Sequence, residues 1–173
     1  METIKKLRAL TGAGVMDCKR ALQEAGGDFN KALEGLRKRG LQIAEEKAGR
    51  SANQGLVESY VHTGGKIGVL VEINCETDFV ARCDDFKALA RDLAMQIAAA
   101  TPAYLQREDI PADVVSAKQG NGFEEFCKEA CLLEQPFIKD AALSIRDRVT
   151  QVIAKVGENI VVRRFIRFQL GGN

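Results

Sequence analysis

The sequence predicts an α+β fold in which a three-helix module precedes a core with a small antiparallel sheet flanked by helices. Three observations predict it. Residues 1–40 contain short sets of apolar residues at helical spacing, separated by glycines. Strand-like alternation appears near residues 55–74 and again after residue 160, and amphipathic helices fill much of the chain between these strand regions. We expect three parts: a helical module over 1–40, a connector over 41–54 and a core domain over 55–173.

The first 40 residues predict three short helices. Glycines at 12 and 14 end the first helix, and Gly26-Gly27-Asp28 stops the second and caps the third, which is expected to end at Gly40. Each helix alone is too short to be stable in water, so the three are expected to share a core. The apolar stripes are Ile4, Leu7 and Leu10; Val15, Cys18, Ala21 and Leu22; and Phe29, Ala32, Leu33 and Leu36.

Residues 41–54 are charged and helix-compatible, which is typical of a connector between domains. The domain that follows opens with a predicted β-hairpin. Residues 55–62 and 67–74 are strand-like, and Thr63-Gly64-Gly65-Lys66 forms the turn between them.

The rest of the core domain is predicted to be mainly helical until a final strand. A strong amphipathic helix begins at Asp84 or Asp85 and must end before Pro102. Residues 101–121 predict a loop with a short helix near Ala112–Lys118. Two more helices are expected, over 123–131 and over 143–156, the latter closed by Gly157. In the last strand, Ile160, Val162, Ile166, Phe168 and Leu170 are expected on one face, and Arg163, Phe165, Arg167 and Gln169 on the other.

Composition excludes several classes of protein. The 173 residues are 46% apolar and 28% charged with a net charge of +1, so no global field draws the chain to nucleic acid or an acidic membrane. No apolar run approaches the roughly 18–20 residues that a membrane helix needs. The N-terminus has no apolar signal-peptide stretch, so we expect a cytoplasmic protein.

The sequence contains no recognisable catalytic or cofactor-binding constellation. The only histidine, His62, is far in sequence from the thiols that would complete a zinc site or a Cys–His nucleophile. Gly12-Ala13-Gly14 follows a helix rather than a strand, which argues against a phosphate-binding loop. We therefore expect no metal, no cofactor and no enzyme activity. Buried free thiols are the simplest interpretation of the five cysteines, Cys18, Cys75, Cys83, Cys127 and Cys131.

The run from Arg163 to Phe168 interleaves arginines with aromatic residues, a pattern that also occurs in RNA-binding proteins. Strand alternation explains the same pattern as sheet residues with a solvated arginine face. Three arginines are too few for strong non-specific binding. We expect no direct nucleic-acid binding, and keep an RNA- or ribosome-binding protein as the alternative function.

Four segments resemble the elongation factor Ts family. Residues 7–22 read LRALTGAGVMDCKRAL and residues 72–82 read EINCETDFVAR, while LLEQPF at 132–137 and GENIVVRRF at 157–165 support them. They lie in the expected order and together span most of the chain. The chain is similar to the short members, which lack the coiled coil and the second core half of longer ones.

The resemblance implies a guanine-nucleotide exchange factor that binds elongation factor Tu·GDP. It implies that the N-terminal helices, similar to ubiquitin-associated domains, dock on the GTPase domain. It further implies that the Thr77–Val80 motif disturbs the magnesium and phosphate site, without covalent chemistry or a cofactor. Short members pair, so a homodimer is expected. By position, the resemblance assigns partner binding to Arg8, Val15, Met16, Thr77, Asp78, Phe79 and Val80.

Two interpretations of Phe79 conflict. Phe79, Phe86 and Leu93 recur every seven residues, so their spacing alone favours Phe79 as one more core residue of a continuous helix. The resemblance instead favours an exposed ring beside the Asp78 carboxylate, ready to enter a partner. The position of this ring therefore decides between the two.

Overall fold

The computed structural model describes residues 2–118 and 122–172, and it confirms the α+β class. Strand β2 is central in a three-stranded antiparallel sheet of order β1-β2-β5, and β3 and β4 form a separate hairpin. The elements are α1 (Glu2–Thr11), α2 (Val15–Glu24), α3 (Phe29–Lys47), β1 (Gln54–Val61), β2 (Ile67–Cys75), α4 (Asp78–Arg82), α5 (Asp84–Ala100), α6 (Ala112–Ala117), α7 (Phe123–Ala130), β3 (Pro136–Phe137), β4 (Asp140–Ser144), α8 (Ile145–Val156) and β5 (Ile160–Gln169).

The three N-terminal helices share a small core, as predicted. The Thr11 hydroxyl donates to the carbonyl oxygen of Leu7 over 2.7 Å at the end of α1. Asp28 is the N-cap of α3, where its carboxylate accepts from the backbone N–H of Lys31. The buried members of this core are Leu7, Cys18, Ala21, Ala32 and Leu36.

Helix α3 is longer than the sequence predicts, and the prediction that Gly40 ends it is wrong. Gly40 is not among the glycines with positive φ, and α3 continues through it to Lys47. A Cβ built at Gly40 would lie 3.8 Å from Cβ of Ala154 and 3.9 Å from Cγ2 of Thr150, both on α8. Glycine therefore brings α3 close to α8 here. The Gln151 side chain adds a 2.9 Å hydrogen bond to the carbonyl oxygen of Leu10.

The sheet packs one face against α5. The predicted hairpin is confirmed within one residue at each end, with Tyr60 opposite Val69 in β1 and β2. On the other side of β2, Cys75 pairs with Ile160 of β5. Phe86 of α5 has no exposed surface. Further members of this main core, from the sheet, α5 and α8, are Val71, Ile73, Leu89, Leu93, Ile97, Val149, Val152 and Val162.

The expected alternation along β5 is wrong for its second half. The pairing register with β2 shifts between Glu72 and Ile73, which places one extra residue of β5 at Arg163. Because one residue reverses the side-chain direction, Phe165 and Arg167 follow the buried face of Ile160 and Val162. Ile166 and Phe168 lie on the opposite, exposed face.

The β3–β4 hairpin was not predicted, and it displaces the start of α8 from position 143 to Ile145. Gln96, fully buried on α5, holds the hairpin: its amide donates to Pro136 O and to Gln135 Oε1 over 3.1 Å each, and its oxygen accepts from the N–H of Ile138 over 2.9 Å. Ser144 and Asp147 then form a capping box that starts α8.

The segment that was predicted as a loop, residues 101–121, contributes to a third cluster of buried residues. The short helix expected near 112–118 is confirmed as α6, whereas residues 119–121 of the expected loop lie outside the described residues. Arg107 bridges Glu124 of α7 and Glu134, with nitrogen–oxygen distances of 2.7 and 2.5 Å. The buried members are Ile110, Cys127 and Cys131. Among the residues that the structure describes, no helix is long and apolar enough to cross a membrane.

Candidate functional site

The Thr77–Val80 segment lies at the junction between strand β2 and helix α4. Strand β2 ends at Cys75, and α4 begins at Asp78 with Thr77 as its N-cap. The Thr77 hydroxyl oxygen accepts from the N–H of Val80 over 3.3 Å, which satisfies one of the unpaired donors of the first turn. The segment is thus a defined turn of helix at one end of the sheet.

Phe79 is exposed, so the interpretation of this ring as a core residue is wrong. Its side chain is 81% exposed, whereas Phe86 is fully buried. The seven-residue spacing misleads because the helix is not continuous. Cys83 has an extended backbone, with φ of −71° and ψ of 152°, and it ends α4 before α5 begins at Asp84. Because of this break, the directions of the α4 side chains are not set by the buried face of α5.

Val80 differs from the rest of the motif. Its side chain is 6% exposed and belongs to the main core, together with Ala81. Thr77 and Asp78 are exposed. Val80 therefore anchors the short helix by packing inward, whereas the Phe79 side chain is exposed to solvent.

Asp78 stands beside Phe79 with its carboxylate at the surface. The carboxylate pairs with the Arg82 guanidinium over 2.7 Å, four residues along the same helix. Both side chains are mostly exposed, and surface pairs of this kind contribute about 0–1 kcal/mol. The carboxylate is consequently available to other groups at little cost.

Sequence reasoning missed Glu158, which contacts the motif directly. Its Oε2 accepts from the backbone N–H groups of Glu76 at 3.2 Å and Thr77 at 3.0 Å, and its Oε1 accepts from the Thr77 hydroxyl at 2.6 Å. Gly157, with a φ of 76°, ends α8 and turns the chain toward these groups. The sequence signal for Glu158 was its place in Gly157-Glu158-Asn159, part of a segment that resembles the family. The resemblance assigned no role to these residues.

The second group of predicted site residues lies at the junction of α1 and α2. Met16 is 71% and Val15 is 47% exposed, at the start of α2, and Arg8 is exposed in the last turn of α1. Such exposed apolar side chains leave a surface available for a partner. Over residues 2–118 and 122–172, no hydrogen bond or ion pair joins this group to Thr77–Val80. The fold thus presents two separate surfaces.

A cavity of about 430 Å³ lies between the N-terminal helices and α8, beside the close contact of Gly40 with Thr150 and Ala154. Arg8 and Asp17 line it on one side, and Asp147 and Lys155 line it on the other. The described residues that line it include no histidine, cysteine or serine. Of the described residues, no group of three or more His, Cys, Asp or Glu has the arrangement of a metal site.

Burial disfavours the thiolate form of two cysteines, Cys75 beside the motif and Cys131 in the third cluster. Burial raises the pKa of Cys75 from 9.0 to about 11, and the Glu158 carboxylate adds to the shift. Burial likewise raises the pKa of Cys131 to about 12. All five cysteines are free, and four are buried, as predicted from the sequence. A thiolate nucleophile is therefore disfavoured near neutral pH at Cys75 and Cys131.

The face of the sheet away from α5 carries exposed apolar side chains. Leu70 in the central strand lies opposite Ile166, and Gly68 lies opposite Phe168. The exposed apolar residues of this open face are Val57, Val61, Leu70, Ile166 and Phe168. A contiguous apolar patch of this kind is typical of a protein interface.

The C-terminal arginines do not form a free cationic stripe. Arg164 pairs with Glu72 over 2.7 Å. Arg167 donates to the carbonyl oxygen of Ala98 and to Gln169 Oε1. Two of the three arginines in this strand thus have partners within the chain, which weakens the case for RNA binding through β5.

The chain is similar to members of one protein family. The profile of the family described as Elongation factor TS matches residues 34–121. A protein from Carboxydothermus hydrogenoformans named Elongation factor Ts is 54% identical, over 98% of this chain and 88% of its own length. Proteins of the same name from Desulforamulus reducens and Thermodesulfovibrio yellowstonii are 51% and 50% identical. These cover 97% and 98% of this chain, and 87% and 95% of their own lengths.

Proposed function

This chain belongs to the elongation factor Ts family of translation elongation factors, and on that premise we propose that it is a guanine-nucleotide exchange factor. It binds elongation factor Tu·GDP in the cytoplasm and promotes GDP release by disturbing the magnesium and phosphate site. The process requires no covalent step and no cofactor. Catalysis here means that the chain binds the state with a loosened nucleotide more tightly than the state with GDP held.

The observation that carries the proposal is the exposed ring of Phe79. The side chain of Phe79 is 81% exposed at the end of the sheet, so a partner can cover it without any change in the core of the chain. Burying a phenylalanine in a partner contributes about 1.5–3 kcal/mol. We propose that this ring enters between helices of the GTPase domain.

Asp78 brings a negative charge to the same place. Its carboxylate gives up only a surface ion pair with Arg82 when it moves toward a partner. Close to a bound nucleotide, a carboxylate repels phosphate and competes for the donors and the magnesium ion that hold it. Burial of the Phe79 ring thus supplies binding energy, and the Asp78 carboxylate weakens the binding of GDP.

One ring and one charge are too little on their own. Weakening a nucleotide a thousandfold requires about 4 kcal/mol of coupling. We propose that the N-terminal helices supply the rest as a docking module of the ubiquitin-associated type, using Arg8, Val15 and Met16. The contact between α3 and α8 and the hydrogen bond from Gln151 to Leu10 support a fixed relation between this module and the core.

We also propose that two copies of the chain pair through the open face of the sheet. Stacking two such faces covers Leu70 and Ile166 of each copy, and it removes the exposed ring of Phe168 from water. Apolar patches on both partners favour an isologous, two-fold contact. The pairing leaves Phe79 at the end of the sheet, away from the strand pairs that would be covered.

The decisive experiment measures release of fluorescent GDP from elongation factor Tu after mixing with this chain. Acceleration that saturates with chain concentration is the expected result. A rate equal to spontaneous release would refute the proposal. A parallel titration with labelled RNA at moderate salt tests the alternative function, for which tight binding without GDP release is the signature.

A further inference from the structure

The segment that carries Phe79 is held by a reciprocal exchange of hydrogen bonds across the chain. Glu158 accepts from the N–H groups of Glu76 and Thr77 and from the Thr77 hydroxyl. In return, Glu76 Oε1 accepts from the N–H of Asn159 over 2.7 Å. We call these four residues, Glu76, Thr77, Glu158 and Asn159, the clasp. It joins the β2–α4 junction to the α8–β5 junction.

Within the clasp, the Thr77 hydroxyl transmits position to α4. The hydroxyl donates its single proton to Glu158 and accepts from the N–H of Val80. Because its donor is committed to Glu158, the direction of its acceptor lone pairs is set. The orientation of the first turn of α4, which carries Phe79, follows from that geometry.

Asn159 extends the clasp to the end of α3. Its side-chain amide donates to the carbonyl oxygens of Ala48 at 3.3 Å and Arg50 at 2.8 Å. The Arg50 guanidinium lies 3.6 Å from Glu76 Oε2. Asn159 itself is buried. Three parts of the chain thus meet at one point, and the motif is fixed to all of them.

Without Glu158 the Thr77–Val80 motif keeps the inward packing of Val80 and Ala81 but loses its hydrogen bonds to the α8–β5 junction. Helix α4 has five residues, too few to be stable alone, and the Phe79 ring is mostly in solvent. Two backbone N–H groups between the strand and the helix would lose their acceptor. We propose that Glu158 is a positioning residue, which acts through Thr77 to hold Phe79 and Asp78 in the conformation that enters the partner. This inference rests on the proposed exchange function.

Removal of Glu158 should change the concentration dependence of GDP release but not its maximal rate. If Glu158 is removed, only a fraction of molecules present Phe79 correctly, and apparent affinity falls by that fraction. The contacts made once bound are unchanged. For Glu158→Ala we expect the half-saturating concentration in GDP release to rise about tenfold, the factor for losing roughly one hydrogen bond to a charged group. The maximal rate at saturation should be unchanged.

Local motion of the ring provides an independent readout. The chain contains no tryptophan, so Phe79→Trp places a single fluorescent reporter at the site. In the chain without its partner, adding Glu158→Ala to this reporter is expected to lower the time-resolved anisotropy of the indole. Thr77→Val, which keeps the volume of the side chain and removes its hydroxyl, should do the same. This second variant also carries the test if Glu158→Ala does not fold.

Two further variants sharpen the result. Glu158→Gln keeps an oxygen for the two N–H groups and an amide that Thr77 can accept from, so we expect it to remain within about threefold of the wild type. Glu46→Ala removes the same charge from an exposed position at the end of α3, and it should change nothing. Equal losses in Glu158→Gln and Glu158→Ala would overturn the hydrogen-bonding role.

The outcomes separate this inference from the proposed function. If the wild type fails to accelerate GDP release, the exchange function is wrong, whatever the anisotropy reports. If the wild type is active and Glu158→Ala matches it in both half-saturation and anisotropy, the positioning role is wrong. A fall in maximal rate at unchanged half-saturation and anisotropy also overturns it, because that pattern places the effect of Glu158 in the bound complex and not in the conformation of the free chain.

Discussion

Phe79 and Val80 are adjacent in sequence yet lie in opposite environments, with 81% of one side chain exposed and 6% of the other. The helix that carries them is a single short turn, so two successive residues point about 100° apart. Val80 packs into the main core and fixes the turn, while Phe79 is left on the outside. A residue that anchors the turn and a residue with an exposed aromatic ring are therefore direct neighbours in the chain.

Phe79→Ala should leave the fold intact and slow GDP release. The exposed ring contributes nothing to the core, whereas its burial in a partner is worth about 1.5–3 kcal/mol, or roughly 10–100-fold. Stopped-flow release of fluorescent GDP measures the rate, and thermal unfolding measures stability. Phe86→Ala is the matched control, because removing this buried ring should cost about 3–5 kcal/mol of stability. A collapsed melting temperature in Phe79→Ala would contradict the assignment.

Asp78→Ala should reduce GDP release by at least about fivefold at saturating chain, the lower range of typical coupling energies. Stability should change little, because the lost pair with Arg82 is at the surface. Arg82→Ala separates the two explanations: it breaks the same pair but keeps the carboxylate, so it should retain exchange. Equal rates in Asp78→Ala and wild type would remove this carboxylate from the mechanism.

Val15→Ala and Met16→Ala should raise the half-saturating concentration while leaving the maximal rate of GDP release near that of the wild type. These exposed side chains are expected to hold the partner without touching the nucleotide site. Titration of elongation factor Tu·GDP with each variant measures the effect. Ile138→Ala, a similarly exposed apolar residue beside the β3–β4 hairpin, is the control and should behave as the wild type. Loss of maximal rate alone would argue against docking.

Leu70→Arg should convert a dimer into a monomer. Leu70 is central in the open face of the sheet, where a charge would be buried on pairing. Sedimentation equilibrium of the wild type is expected to give a dimer, and the variant should give half that mass at equal helix content. Ile138→Glu adds a charge away from the sheet and should remain dimeric. A monomeric wild type at high concentration would contradict the pairing.

Stability should fall on the alkaline side of pH 9. Burial raises the pKa of Cys75 from 9.0 to about 11, so the folded state favours the neutral thiol. A raised pKa contributes stability that is present below the unfolded value of 9.0 and is lost as pH rises through about 11. Urea denaturation at several pH values measures it, and Cys75→Ser should flatten the dependence. Identical curves for variant and wild type would show that this thiol is not the group responsible.

The elements with strong local periodicity could be predicted from the sequence. The β1–β2 hairpin and α5 have unbroken alternation or helical spacing, and their ends are marked by turn glycines and a proline. The β3–β4 hairpin could not be predicted, because its two short strands are held by Gln96, some forty residues earlier in the chain. Tertiary contacts decide such short elements.

The candidate site shows the same limit. The resemblance identified the Thr77–Val80 motif, but spacing alone would have buried Phe79, since a one-residue break at Cys83 leaves little trace in the pattern. Glu158 was out of reach for another reason. Its partners lie 81 and 82 residues away, and no periodic signal links side chains across such a separation.

The unbroken course of α3 past Gly40 has a consequence for how such a chain tolerates change. A helix advances about 1.5 Å and rotates about 100° with every residue. One residue inserted between the small helical core and the lysine at position 47 would swing the surface around Met16 by more than a quarter turn about that axis. A flexible linker would accommodate the same insertion without this rotation. The length and the rotational phase of α3 therefore set how the two surfaces that it separates are oriented relative to each other.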